Sequence, residues 1–230
     1  MLFYTTYNMQ QEFLDSIKET DRIICMVGAK GSGKTYRFLC TLKYFLKNNI
    51  YNEYHLVLPA FKHEQTDQYK FLKDKKLQKN VFIYPYYVDE IGKELLLKQE
   101  KKKQKILLAI DDGTHMASEL ISSDKIGEIC TTSRHCKITF MIMLHASKKV
   151  IPPMVRANVD FLFIFNVTNA KLLENIYEEF FSMMPDFQNF KDFKHYFNEV
   201  MKQATKPKKN AIFLSTIEQQ YDYLVCNWND

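Results

Sequence analysis

Five apolar residues, Ile23-Ile24-Cys25-Met26-Val27, run directly into Gly28-Ala29-Lys30-Gly31-Ser32-Gly33-Lys34-Thr35, and Tyr36-Arg37-Phe38-Leu39 continue at helical spacing. No other stretch narrows the possible folds as far. A buried strand, a glycine-rich turn and a helix in that order form a phosphate-binding loop. Gly28, Gly31 and Gly33 let the backbone turn successive N–H groups inward, and the helix start adds its dipole. In that geometry Lys34 reaches the β- and γ-phosphates of ATP, and the Thr35 hydroxyl is a ligand for Mg²⁺.

A second chemical element lies downstream. The apolar run Ile106-Leu107-Leu108-Ala109-Ile110 stops at Asp111-Asp112. A P-loop ATPase needs one carboxylate beside the Mg²⁺ shell and another that polarises the attacking water; Asp111 fits the first role and Asp112 the second. A further strand, Ile138 to Leu144, ends at His145, which is placed either to contact the γ-phosphate or its water, or to serve as an ordinary loop histidine. This strand falls between the acid-bearing one and Phe161-Leu162-Phe163-Ile164-Phe165.

The alternation of strands and helices predicts an α/β fold with a mostly parallel central sheet and helices on both faces. The pattern predicts helices at Gln10 to Ile17, from Phe38 to about Asn48, at Gln65 to Leu72 and at Val88 to Lys105. It places others at Asp124 to Thr132, Leu172 to Phe181 and Phe190 to Met201, with a short one starting at Pro152-Pro153. Ala211 to Leu214 and Tyr221 to Val225 suggest a C-terminal β-hairpin. The aromatics Phe180, Phe181, Phe187, Phe193 and Phe197 read as core rather than as a platform for stacking bases.

A chain of 230 residues suits one domain: an N-terminal helix within residues 1–20, an ATPase core over 21–165, and C-terminal helices and hairpin over 166–230. With 46% hydrophobic and 14% aromatic residues the composition excludes a disordered protein. The net charge of +5 permits contact with nucleic acid through a local patch without demanding it. Lys101-Lys102-Lys103 suits a solvated helix terminus and, alternatively, such a contact; Lys148-Lys149 and Lys206 to Lys209 are further candidates. The five cysteines have neither metal-ligand spacing nor the density of a disulfide scaffold, which points to a reducing compartment. No apolar run approaches the roughly 20 residues needed to span a bilayer, so no membrane insertion is expected.

Taken in order, the phosphate loop, Asp111-Asp112, Ser133-Arg134-His135, the strand ending at His145, Ile151-Pro152 and Val155-Arg156-Ala157-Asn158 resemble the viral DNA-packaging ATPases of the FtsK/HerA superfamily. The likeness is to the short forms associated with poxviruses, virophages and Polinton-like elements, and it covers roughly Ile23 to Phe165. The resemblance implies a P-loop fold of the additional-strand type. It also implies a homo-oligomeric ring, hexamer or pentamer, that drives double-stranded DNA into a capsid by hydrolysing ATP and engages a capsid vertex or portal component. The host cytoplasm or viral factory is the implied location, with association with the virion. In that family the lysine and threonine of the loop and the paired acids carry the roles given above to Lys34, Thr35, Asp111 and Asp112. A glutamine commonly senses the γ-phosphate where this chain has His145, and an arginine acting in trans completes the neighbouring site. Arg134 is the first candidate for that arginine and Arg156 the second. Two other readings fit the same loop: a nucleotide-gated assembly module with weak hydrolysis, and a small P-loop kinase. The kinase would need an arginine-rich lid, and Lys62 to Lys79 contains no arginine.

Overall fold

A computed structural model describes residues 13–58, 67–74, 80–145, 151–202 and 210–225. Its centre is an eight-stranded sheet: β1 (Ile23–Gly28), β2 (Glu53–Val57), β3 (Val81–Tyr84), β4 (Ile106–Ile110), β5 (Ile138–His145), β6 (Phe161–Phe165), β7 (Asn210–Ser215) and β8 (Gln220–Val225). The spatial order is β3-β2-β4-β5-β1-β6-β7-β8. The first six of these run parallel, and β7 and β8 add an antiparallel hairpin to the side of β6. β5 lies between the acid-bearing β4 and the P-loop strand β1, which is the additional-strand arrangement.

Central strands of a parallel sheet are covered on both faces, so they read as continuous apolar runs rather than alternating ones. Which face each residue serves follows from the pleat. In β1, Ile23, Cys25 and Val27 enter one core, while Ile24 and Met26 enter the other. β5 divides in the same way, with Phe140, Ile142 and Leu144 on the first face and Met141 and Met143 on the second.

The helices are α1 (13–19), α2 (Lys34–Lys47), α3 (Asp89–Lys101), α4 (Ala117–Ser122), α5 (Asp124–Cys136), α6 (Pro153–Asn158), α7 (Ala170–Phe180) and α8 (Phe190–Lys202). α1 and α2 cover the second face, joined there by the 3₁₀ turn Asp67–Lys73. The helices from α3 to α8 pack on the first. Phe13 of α1 sits edge-on to Phe161, Phe163 and Phe213, with ring centroids 5.0, 5.3 and 5.7 Å away. Truncating such a ring costs about 3–5 kcal/mol, so Phe13, with Leu14 and Ile17 buried in the same core, fastens α1 to the sheet. Phe181, Phe187, Phe193 and Phe197 are buried among α7, α8 and the sheet, as core.

Three predicted elements need correction. α5 continues past Thr132 to Cys136, because Lys137 takes the left-handed conformation (φ 52°) that ends it; Ser133-Arg134-His135 is therefore its last turn. α3 stops at Lys101 rather than Lys105, since Lys102 is extended and Gln104 is tied to Gln99. The stretch read as a helix from Gln65 is, where described, the 3₁₀ turn. The predicted C-terminal hairpin is present as β7 and β8, and it extends the main sheet beside β6. Lys148-Lys149 and Lys206 to Lys209, offered above as DNA contacts, and most of Lys62 to Lys79 lie outside the described residues, as does the start of the Gln10 to Ile17 helix. Among the described residues no helix is long and apolar enough to cross a membrane.

Candidate functional site

The ends of β1, β4 and β5 meet at one edge of the sheet. β1 delivers Gly28 there against Phe165 of β6: a Cβ on Gly28 would lie 2.6 Å from the Phe165 Cβ and 2.8 Å from Ser32 Oγ, so no side chain fits. Gly31 and Gly33 have φ of 76° and 103°, a region that L side chains rarely adopt. These turns fold Ala29 to Ser32 over the start of α2. The Ala29 N–H donates to the Asn166 carbonyl (2.8 Å), and the Ser32 N–H to that of Ala29 (3.2 Å). Lys30 and Gly31 are exposed at the tip, whereas Ser32 and Lys34 are buried. α2 begins at Lys34 with Gly33 as its cap and no side-chain cap, leaving its first N–H groups available to an anion, with Thr35 in the first turn.

Lys34 Nζ donates to the carbonyls of Gly28 and Ala29, both at 2.8 Å, and lies 3.2 Å from His145 Nδ1. An ammonium has only donors, so Nδ1 accepts and the imidazole proton sits on Nε2. Nε2 lies 3.0 Å from Asp112 Oδ1. His145 thus bridges the P-loop lysine and the second acid. Its position follows from the sheet: it is the last residue of β5, opposite Gly28 in the parallel register. Its own N–H donates to Thr114 Oγ1 (2.6 Å), from the 3₁₀ turn Gly113–Met116 that follows the acids.

Asp111 and Asp112 are both buried at the end of β4. The Asp111 N–H donates to the Val57 carbonyl (3.0 Å), which continues the β2–β4 ladder by one step and fixes the Asp111 backbone. The Asp111 carboxylate accepts from the Tyr69 hydroxyl through Oδ2. Burial and the Asp111 charge push the Tyr69 phenol well above its ordinary range, so it stays a donor. Asp112 adopts a left-handed backbone (φ 61°), a conformation in which Asp and Asn are enriched and which turns its side chain back toward His145. Among the described residues no group of three or more His, Cys, Asp or Glu side chains forms a metal cage. Thr35, in the first turn of α2, and Asp111, at the end of β4, carry oxygens of the kind that hard cations take.

The two arginines lie elsewhere. Arg134, in the last turn of α5, donates from Nη2 to Asp160 Oδ1 (2.9 Å) while its side chain remains 58% exposed. Asp160 precedes β6 and accepts the N–H of Ile23 at the start of β1 (2.8 Å), so this cluster marks the opposite edge of the sheet from the P-loop. A cavity of about 450 Å³ opens there, lined by Ser133, Arg134, Asn158, Asp160 and Thr216 among others. Arg156, on α6, pairs with Glu179 of α7. The structure brings together Lys34, Asp112 and His145, places Asp111 beside Asp112, and sets Arg134 where it cannot reach the site of its own chain.

Sequence reasoning missed Tyr69 and Thr114. Thr114 stands two residues after the acids, where a turn is legible but not the hydroxyl's partner. Tyr69 lies in a lysine-rich stretch with nothing to mark it.

Comparisons with known proteins agree with this architecture. The profile of the family described as Poxvirus A32 protein matches residues 9–227. A stretch of 118 residues, 48% of this chain, is 34% identical to the uncharacterized protein 075L of Invertebrate iridescent virus 6, and spans 45% of that relative's length. Among solved structures, B204, the DNA-packaging ATPase from Sulfolobus Turreted Icosahedral Virus, superposes with a TM-score of 0.61 at 17% identity, covering 89% of this chain and 97% of its own. The genome packaging NTPase B204 of Sulfolobus turreted icosahedral virus 2, in complex with AMPPCP, gives a TM-score of 0.58 at 16% identity over 89% and 97% of the two chains.

Proposed function

The chain belongs to the poxvirus A32 protein family, and from that membership and the site just described we infer that it is a genome-packaging ATPase, which hydrolyses ATP to move double-stranded DNA into a capsid. The observation that carries this reading is the bridge Lys34–His145–Asp112, which joins a P-loop to a carboxylate through the end of the additional strand. The B204 structures lend support: one is a DNA-packaging ATPase and another is in complex with AMPPCP.

In this reading the triphosphate lies along the loop from Gly28 to Gly33, its oxygens taking N–H donors from the loop and from the start of α2. Lys34 exchanges its contacts with the Gly28 and Ala29 carbonyls for the β- and γ-phosphates. Thr35 and Asp111 would hold Mg²⁺, which when bound offsets the charge on the phosphate oxygens. Asp112 orients the attacking water and takes its proton, while His145, with Nε2 beside that carboxylate and Nδ1 beside Lys34, keeps the two groups aligned. Arg134 acts on the site of a neighbouring copy in a ring of five or six, because its own edge faces away from its own P-loop. Such a finger adds about 10³–10⁵ in rate. Duplex DNA is held through its phosphates by lysines, since a packaging motor must disregard sequence. A capsid vertex or portal component is the further partner.

The test is steady-state ATP hydrolysis across a range of protein concentrations, with and without linear duplex DNA. The rate per subunit should rise with both. Arg134→Ala and Asp112→Asn should each be inactive alone, and their mixture should recover part of the activity, because an Arg134→Ala site beside an Asp112→Asn neighbour has both its acid and its arginine. A rate indifferent to concentration and DNA, with Arg134→Ala at the native level, would overturn the ring mechanism.

A further inference from the structure

One side chain of the described part of the connection between β2 and β3 reaches the site. Tyr69 belongs to the 3₁₀ turn Asp67–Lys73, which lies on α2 in the core of the second face. The turn is seated by Leu72, which is buried in the same core, and by Phe71, whose ring lies under the Lys43 ammonium of α2 at 5.3 Å from its centroid. Tyr69 is 2% exposed. A phenol buried to that degree needs a partner for its hydroxyl, and the partner is Oδ2 of Asp111.

The backbone bond from Asp111 N–H to Val57 fixes where the residue sits but not how its carboxylate is turned. We propose that Tyr69 is a positioning residue for the magnesium site: by holding one carboxylate oxygen of Asp111 it fixes the orientation in which the other is offered to the metal. The proposal rests on the reading of Asp111 as a magnesium ligand. Carboxylates that ligate metals are themselves held by hydrogen bonds, and removing such a holder typically lowers metal affinity by about 10–100-fold. The holder comes from a turn outside the P-loop and its two neighbouring strands. Displacement of that turn would reach the metal without disturbing the loop.

The experiment measures Mn²⁺ binding to the full chain loaded with AMPPCP, by the electron paramagnetic resonance signal of free Mn²⁺, so that no turnover is needed. Tyr69→Phe should raise the dissociation constant about tenfold or more, with AMPPCP affinity in EDTA unchanged and the chain still cooperatively folded. Mn²⁺ affinity within about twofold of native would overturn the proposal, leaving Tyr69 a packing residue. Asp111→Asn, measured in parallel, separates this from failure of the underlying reading: if it too binds Mn²⁺ as the native chain does, Asp111 is not the ligand and both fall. Should Tyr69→Phe fold poorly, Phe71→Ala, which unseats the turn but retains the hydroxyl, carries the test. It should weaken Mn²⁺ binding in the same direction, and native affinity would overturn the idea equally.

Discussion

The two edges of the sheet handle charge in opposite ways. At the edge where the parallel strands end, Lys34, His145 and Asp112 are drawn inward and joined to one another within a single chain. At the edge where the strands begin, Asp160 is buried and takes a backbone N–H, but the Arg134 that it holds remains largely in solvent. The first edge is closed on itself; the second presents a cation beside a cavity of about 450 Å³. The difference teaches that the first cluster is held by contacts within the chain, whereas the second leaves its cation largely to solvent, as a site shared with a neighbour requires.

Substitutions at each edge can break or sharpen this contrast. Lys34→Ala should have the largest effect, a loss of about 10³-fold in hydrolysis, because it removes both the phosphate ligand and one end of the bridge; a rate assay at saturating ATP decides it. His145→Ala should lower the rate by about 10²-fold, while His145→Gln, which retains a donor near Asp112, should recover most of that loss. Equal rates for the two variants would show that the bridge is packing alone. At the other edge, Asp160→Asn should act on stability instead, lowering the free energy of unfolding by about 1–3 kcal/mol in urea titration, since a buried acceptor of charge-assisted bonds is weakened. Smallest is Thr114→Val, which removes the acceptor for the His145 N–H and should cost about 0.5–1.5 kcal/mol in the same titration.

Much of the closed edge was legible in the sequence because its parts are local. The run from Ile23 through Thr35 carries strand, turn and helix start within a single stretch, and each glycine's requirement is met within a few residues, or by Phe165. The end of β5 was legible as a position, but not the two partners of His145: Lys34 and Asp112 converge on it only because β5 lies between their strands. The end of α5 was misplaced because Lys137 supplies a left-handed cap without being glycine, so no residue type signalled that Arg134 belonged to the helix. Tyr69 was invisible for a deeper reason. A hydroxyl that serves a carboxylate 42 positions away leaves no trace in local periodicity.

The left-handed backbone of Asp112 has a practical consequence. Asparagine is at home at φ 61°, so the Asp112→Asn subunit should keep its fold and its nucleotide while failing to fire. Such a subunit is a titratable poison. Mixed with native protein in increasing proportion, it would make the decline in rate a power law, and the exponent would count how many sites must act in succession.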